Sequence, residues 1–508
     1  MLENINELTS KTDRFFLSFL DWIFNFLFSD IHSLDDLVLW MQRKLIPFTL
    51  IAGVTVLTCI ILCRVIRARK ASGNKRKPKM KSLKKTRKIE KAKGIFLGKV
   101  RRHYIYSPVE MEEHCLLFGK TGIGKTSAFI IQTLRRWVSI GTTFVFDITG
   151  KIHKRVKDPN KIVYEPQNPG SNVRYNIFGP IDRLRTADEK KQALCQLAEM
   201  IIPVNDNASG NSAYYSRFGR EILKTALVAF YFKGKDFIDI CKMIRYNSYP
   251  DLYSMLADTG NTYARTAIAS FTSVKDDFNA AAKQVVDMAL DIYTSDPFLS
   301  RSIGRATKDT IGIEPCMLES HSIYISTNDS THEYFKSFFN LICAQYMAYF
   351  SGRDVKRFKT HPILFCLDEL SSFGHLDIMP ALRKYRKHRI RIIAATQSLA
   401  DLELNYGRAE RTAIVDNFGL VVILGATDPD TQEYCAKLIG TETVMRKNVT
   451  VGSSNTTTEV ETKDWVIEPN DLAYLGDDCI LIYPEGCMRV KKVPYFISNP
   501  DEASEEDT

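Results

Sequence analysis

The eleven cysteines of this 508-residue chain never form a CxxC pair and never fall at metal-ligand spacing with histidine. Two of them, Cys59 and Cys63, sit inside an apolar run. A disulfide framework and a zinc site are therefore excluded as organising features, and the bulk of the chain is expected in a reducing cytoplasm. Acidic residues are scarce in one stretch: between Arg64 and Arg102, eighteen Lys or Arg stand against Glu90 alone. Neither disorder nor a fibrous repeat suits a composition of 45% hydrophobic and 25% charged residues. That composition fits a globular chain of two or three domains with a sizeable core.

From Leu45 to Cys63 the chain reads "LIPFTLIAGVTVLTCIILC", 19 uncharged residues. This is enough for one membrane-spanning helix, placed over 45–66, within an anchor covering residues 1–66. Arg64, Arg67, Arg69 and Lys70 follow directly, so the positive-inside rule puts everything downstream in the cytoplasm. An earlier apolar segment, Phe15 to Phe28, carries Ser18, Asp21 and Asn25 on one helical stripe. That stripe suits an interfacial helix or one packed against a partner in the membrane. Residues 67–93 read as a basic linker held against anionic lipid, at about 1 kcal/mol per basic residue, in preference to direct DNA contact. The basic run holds a surplus of +17, so the rest of the chain is acidic enough to leave the overall +10. Net charge alone is thus no argument for a nucleic-acid-binding body.

The stretch "LLFGKTGIGKTSAFI", Leu116 to Ile130, matches GxxxxGK[ST] between a strand-like "HCLLF" and a helical "SAFIIQTLRRWV". Strand, loop and helix in that order are what phosphate binding requires. Gly119, Thr121, Gly122 and Gly124 let backbone N–H groups turn inward, and the helix N-terminus at Thr126 and Ser127 adds its positive dipole end. Lys125 reaches the β and γ phosphates, and the Thr126 hydroxyl ligates Mg2+. ATP and Mg2+ are the implied ligands. The acidic partner is expected at the end of a neighbouring strand. "PILFCLDELSSFG" supplies Asp368 for the Mg2+ shell and Glu369 to polarise the attacking water. "RIRIIAATQSL" ends another buried strand, bringing Gln397 beside the γ-phosphate.

Further strands are read at Thr142–Ile148, Ser322–Ser326, Gly419–Gly425 and Cys479–Tyr483, alternating with helical stretches such as Thr431–Ile439. This pattern means an α/β parallel sheet. More than 240 residues separate Lys125 from the acidic pair, and residues 182–313 are dominated by helical patterns. The expected organisation is a nucleotide-binding domain over 94–181 and 314–494, a mostly helical inserted domain over 182–313, and an acidic tail over 495–508. The polar stretch Arg446 to Asp464 reads as an exposed hairpin or a disordered loop.

In order, "GKTGIGKTS", "FVFDITGK", "LDELSSFG", "ATQSLADLELNYG" and "LGATDPDTQEYCAKLIG" resemble the type IV coupling proteins. These are the TraG-type ATPases that bring substrates to type IV secretion and conjugation machines. The resemblance runs from about Gly94 to Pro494, and the segment Thr396 to Gly407, with Leu402 and Tyr406, is its most specific part. Lys151 departs from the family pattern, in which an acidic residue often follows the glycine.

The resemblance implies a RecA-like P-loop NTPase domain with an inserted all-α domain and an N-terminal transmembrane anchor in the inner membrane. The anchor is typically of two helices, which extends it to residues 14–29. It also implies a homo-hexameric ring whose γ-phosphate site is completed by an arginine of the adjoining subunit. Arg383, Arg386, Arg389 and Arg391 are candidates, and Arg386 is preferred because it precedes the strand ending in Gln397. The expected partners are single- or double-stranded DNA bound without sequence preference, relaxase and relaxosome proteins, and type IV secretion channel components. Delivery of protein effectors, or an FtsK-like DNA translocase, stands as the alternative. No long substrate-recruiting region is expected beyond the last strand, which favours a minimal conjugative coupling protein.

Overall fold

A computed structural model describes residues 94–109, 112–204, 211–327, 332–355, 361–450 and 456–497. The expected membrane spans at 14–29 and 45–66, the linker 67–93 and all but the first residues of the acidic tail lie outside them. Among the described residues, no helix is long and apolar enough to cross a membrane.

Most of the strands are short apolar runs bounded by turn residues, and two are long and polar. In chain order they are β1 (Phe96–Val100), β2 (His103–Tyr106), β3 (Cys115–Phe118), β4 (Thr142–Asp147) and β5 (Lys161–Tyr164). Next come β6 (Val173–Tyr175), β7 (Ile311–Ile313), β8 (Ser322–Ser326), β9 (Ile363–Leu367) and β10 (Ile390–Thr396). The last are β11 (Leu420–Ile423), β12 (Thr441–Thr450), β13 (Thr456–Trp465), β14 (Asp478–Tyr483) and β15 (Gly486–Lys491).

Eleven of these form one sheet in the order β2-β1-β15-β14-β11-β3-β10-β9-β4-β8-β5. From β11 to β5 every pairing is parallel. The flank of β14, β15, β1 and β2 is antiparallel. The parallel strands β3, β4, β8, β9 and β10 are buried along their whole length. Continuous apolar sequence is the mark of a sheet covered on both faces. The pleat divides each strand between two cores: Leu116 and Phe118 face one, Cys115 and Leu117 the other. The second core is closed by Phe129, Leu134 and Trp137 from the helix after the glycine-rich loop. The first is closed by the helices His332–Phe350 and Leu399–Asp416 and by the long helical segment.

That helical segment lies between β6 and β7, which pair in parallel as a separate two-stranded ribbon. Its main helices are Ala187–Ile201, Asn211–Tyr231, Phe237–Arg245, Tyr249–Asp258, Thr262–Phe271 and Asp276–Ser295. Local sequence sets several of their starts. Thr186 and Glu189 form a reciprocal capping box, and Ser248 and Asn261 accept from the first-turn amides that follow them. At the base of the segment, Arg305 donates from Nε and Nη2 to the two Asp182 oxygens (2.8 and 3.0 Å) and from Nη1 to Asp236. Entry and exit of the segment are thereby tied together by one guanidinium.

Two expectations about the sheet are corrected. The strand read at 479–483 is antiparallel to β11, because the preceding turn returns to the edge where β11 ends: Ala426 N–H donates to the Leu472 carbonyl at 3.1 Å. And β9 is not adjacent to β3, since β10 lies between them. The stretch read as a hairpin or loop is a ten-pair antiparallel hairpin, Thr441↔Trp465 to Thr450↔Thr456.

Candidate active site

In a parallel sheet all the C-terminal strand ends share one edge, so the loops that leave them converge. Here β3 delivers Gly119, β10 delivers Gln397, β9 delivers Asp368 and Glu369, and β4 ends in Asp147. The Gly119 N–H donates to the Thr396 carbonyl at 3.1 Å, which clips the glycine-rich loop to the end of β10. Gly122 and Gly124 take φ of 76° and 103°, a region that a side chain resists. A Cβ at Gly122 would meet nothing within 4 Å, so the loop faces open space there. Thr126–Ile130 then winds as a π-turn, in which the Ile131 N–H donates to the Thr126 carbonyl, before the regular helix Ile131–Trp137.

The side chains of this edge lie together in one polar cluster. Lys125, only 8% exposed, donates from Nζ to the Gly119 carbonyl at 2.5 Å and lies 3.6 Å from Glu369 Oε2. The Thr126 hydroxyl donates to Asp368 Oδ1 at 2.6 Å, although 242 residues separate them. Ser371 donates to Glu369 Oε1 at 2.8 Å. Burial pushes the Asp368 carboxyl up to about 6. The Thr126 hydrogen bond and Lys125 pull it down, while Asp147 and Glu369 push it up. Burial also raises Glu369, against the pull of Lys125 and of the Ser371 hydrogen bond. A carboxylate pair held above its ordinary range next to a buried ammonium suits binding of a cation and a polyanion together. A glycine-rich loop, one lysine, one hydroxyl and two carboxylates are the set of groups a phosphate chain with a divalent cation requires.

Of the residues singled out in the sequence, the structure brings together Gly119, Gly122, Gly124, Lys125, Thr126, Asp368 and Glu369. Thr121 is exposed on the same loop, Ser127 is half-buried at the helix start, and Gln397 is exposed one residue past β10. Arg386 does not join them. It precedes the N-terminal end of β10, opposite the loop edge, where it donates to the Asn417 carbonyl at 2.6 Å and pairs with Glu113 at 3.2 Å.

Asp147 has a local role that the sequence left open. Fully buried, it accepts from the backbone N–H groups of Lys151 (3.2 Å), Ile152 (2.8 Å) and His153 (3.1 Å) and pairs with His153 Nδ1 at 3.1 Å. The turn is thus held through amides, which any residue but proline supplies at 151, so Lys151 fits without an acidic side chain. Ser371 and Asn405 were missed. Asn405 donates to the Ser371 carbonyl at 2.6 Å, and the Tyr406 hydroxyl accepts from the Leu376 N–H at 3.4 Å. Both bonds fasten the helix after Gln397 to the loop carrying Glu369. Asn405 and Tyr406 share the "LNYG" that makes this segment specific, which was the available signal.

The fold and the site define a P-loop protein whose central sheet is parallel from β11 to β5 and antiparallel at one flank. The chain belongs to the type IV secretory system conjugative DNA transfer family, whose profile matches residues 67–506. It is similar to the conjugal transfer protein TraG of Escherichia coli, with 23% identity over 384 residues, 68% of this chain and 58% of TraG. The chain therefore matches less than two thirds of the length of that relative. Its fold is that of the bacterial conjugative coupling protein TrwB. The unbound monoclinic form of TrwB is 18% identical, with a TM-score of 0.64, over 81% of this chain and 90% of that one. TrwB in complex with ADP and Mg2+ is 17% identical, with a TM-score of 0.64, over 82% and 94%.

Proposed function

We propose that this protein is a membrane-anchored ATPase acting as a type IV coupling protein, which links a relaxase-bound DNA substrate to a secretion or conjugation channel. The observation that carries the reading is the Thr126–Asp368 hydrogen bond at 2.6 Å, which joins two distant motifs at one sheet edge beside Lys125 and Glu369. Family membership supplies the DNA-transfer context, and TrwB has been seen with ADP and Mg2+ and with non-hydrolysable GTP and ATP analogues.

In this reading the loop from Gly119 to Gly124 cradles the phosphates of ATP with its amides, as do the amides of Thr126 and Ser127 at the helix start. Lys125 leaves the Gly119 carbonyl for the β and γ phosphates. Thr126 and Asp368 hold Mg2+, which supplies charge neutralisation at the phosphate oxygens. Glu369, steadied by Ser371, accepts the proton of the attacking water, and Gln397 orients that water or the γ-phosphate. An arginine from a neighbouring subunit completes the site. For Arg386 to serve, it would have to leave Glu113 and Asn417.

The domain organisation follows from the same reading. Residues 1–66 anchor the chain with helices over 14–29 and 45–66, and 67–93 form a basic linker. Residues 94–181 and 314–494 are the RecA-like motor, 182–313 are the inserted helical domain, and the tail begins at 495. The motor faces the cytoplasm and works as a hexamer. The test is ATP hydrolysis by the detergent-solubilised full chain, with and without single- and double-stranded DNA, at low and moderate salt. Stimulation by DNA that fades with salt is expected, because phosphate contacts release counterions. Hydrolysis indifferent to both forms of DNA would move the reading to protein delivery.

A further inference from the structure

After β15 the chain does not leave the sheet but folds back along the helix that follows the glycine-rich loop. The Val493 carbonyl accepts from Gln132 Nε2 at 3.0 Å, and the Tyr495 N–H donates to the Ser127 carbonyl at 3.0 Å. Arg135 donates to the Tyr495 carbonyl at 3.4 Å, and its guanidinium lies 5.0 Å from the Tyr495 ring. These contacts fix a strap over residues 491–497. At its start Lys492, half-buried, donates from Nζ to the carbonyl of Ile123, a residue of the loop itself, at 3.4 Å. Burial draws the lysine pKa down, and Asp477 and Asp478 oppose this.

A trans peptide is planar, so its C=O and the following N–H point in opposite directions. Holding the Ile123 carbonyl on the strap side therefore turns the Gly124 N–H to the other side. Gly124, at φ 103°, has little intrinsic preference to keep that peptide in place. The Ile123 side chain is pinned as well: a Cβ on Gly119 would come within 2.7 Å of it and one on Gly425 within 2.6 Å. With side chain and carbonyl both fixed, the 123–124 peptide has one orientation.

We propose that Lys492 is a positioning residue of the nucleotide site: by holding the Ile123 carbonyl outward it pre-orients the Gly124 amide toward the phosphates. This rests on the nucleotide-binding reading above. It also assigns a site function to a segment 369 residues from the motif it serves.

The test is the Kd for MgADP of the full chain, as the unaltered protein and as K492M, K492R and K125A, alongside ligand-free thermal unfolding. K492M should bind roughly tenfold more weakly, the scale of one charged hydrogen bond. Its thermal midpoint should not move, and K492R, which restores a donor, should recover most of the affinity. A merely structural lysine would shift the midpoint and leave affinity alone. Should K492M fail to fold, K492L, which also lacks a donor, takes its place with the same expectation. An unchanged Kd in the methionine or leucine variant overturns the positioning role while leaving the site reading intact. Absence of MgADP binding by the unaltered chain, matching K125A, overturns both.

Discussion

At the scale of single residues, Lys125, Thr126, Asp368 and Glu369 act as one polar unit, and each removal has its own signature. Lys125→Ala is expected to weaken nucleotide binding by roughly tenfold or more, since it deletes the charge-assisted contact to the phosphates; equilibrium binding measures it. Glu369→Gln should retain ATP while lowering kcat by about a hundredfold or more, and undiminished turnover would show that another group takes the proton. Asp368 makes a prediction in the opposite direction. Its folded pKa, about 6, lies above the ordinary 3.8 because it is buried, so the folded chain holds this proton more tightly than the unfolded one. Its contribution to stability is therefore greatest below the unfolded value and declines as pH rises through the folded one. Asp368→Asn should then raise the unfolding free energy of the ligand-free protein more at about pH 8 than at about pH 5, by roughly 1–2 kcal/mol, while removing Mg2+-dependent hydrolysis. The motif residues were legible because phosphate chemistry fixes their types and spacing. Ser371, Asn405 and Lys492 were not, since each acts through a backbone carbonyl or one partner oxygen that a linear sequence does not display.

At the scale of elements, the strands with unbroken apolar sequence were legible almost to the residue, as at Ser322–Ser326, because burial on both faces leaves no polar alternative. What the pattern could not carry was adjacency. Nothing in "RIRIIAATQSL" says that β10 inserts between β3 and β9, and nothing in "CILIY" says that β14 runs antiparallel. β1 and β2 went unread because half of their positions are only partly buried. Within the helical segment, the buried Asn279 accepts from the Tyr253 hydroxyl at 2.7 Å and its Nδ2 reaches the carbonyls of Phe271 (3.1 Å) and Val274 (3.2 Å). It thereby joins three helices through one amide. Asn279→Ala should lower stability by about 2–3 kcal/mol, measured by denaturant unfolding, because those partners lose their match inside the core. ATP affinity should not change, since the substitution lies away from the loop edge.

At the scale of the whole molecule, the motor reading makes salt a diagnostic. DNA-stimulated hydrolysis should fall steeply between about 50 and 200 mM salt, whereas basal hydrolysis should hold, because only the former depends on displaced counterions. The sheet itself carries one more consequence. Its first strand, β1, lies beside its last, β15, with Lys99 opposite Lys491. The next residue is Lys492, which reaches the phosphate loop. In mechanical terms this is a load path: tension along β1 is borne in shear and passed sideways to β15. It arrives one residue short of the lysine that holds the loop carbonyl, so the sheet edge and the phosphate loop share one mechanical connection.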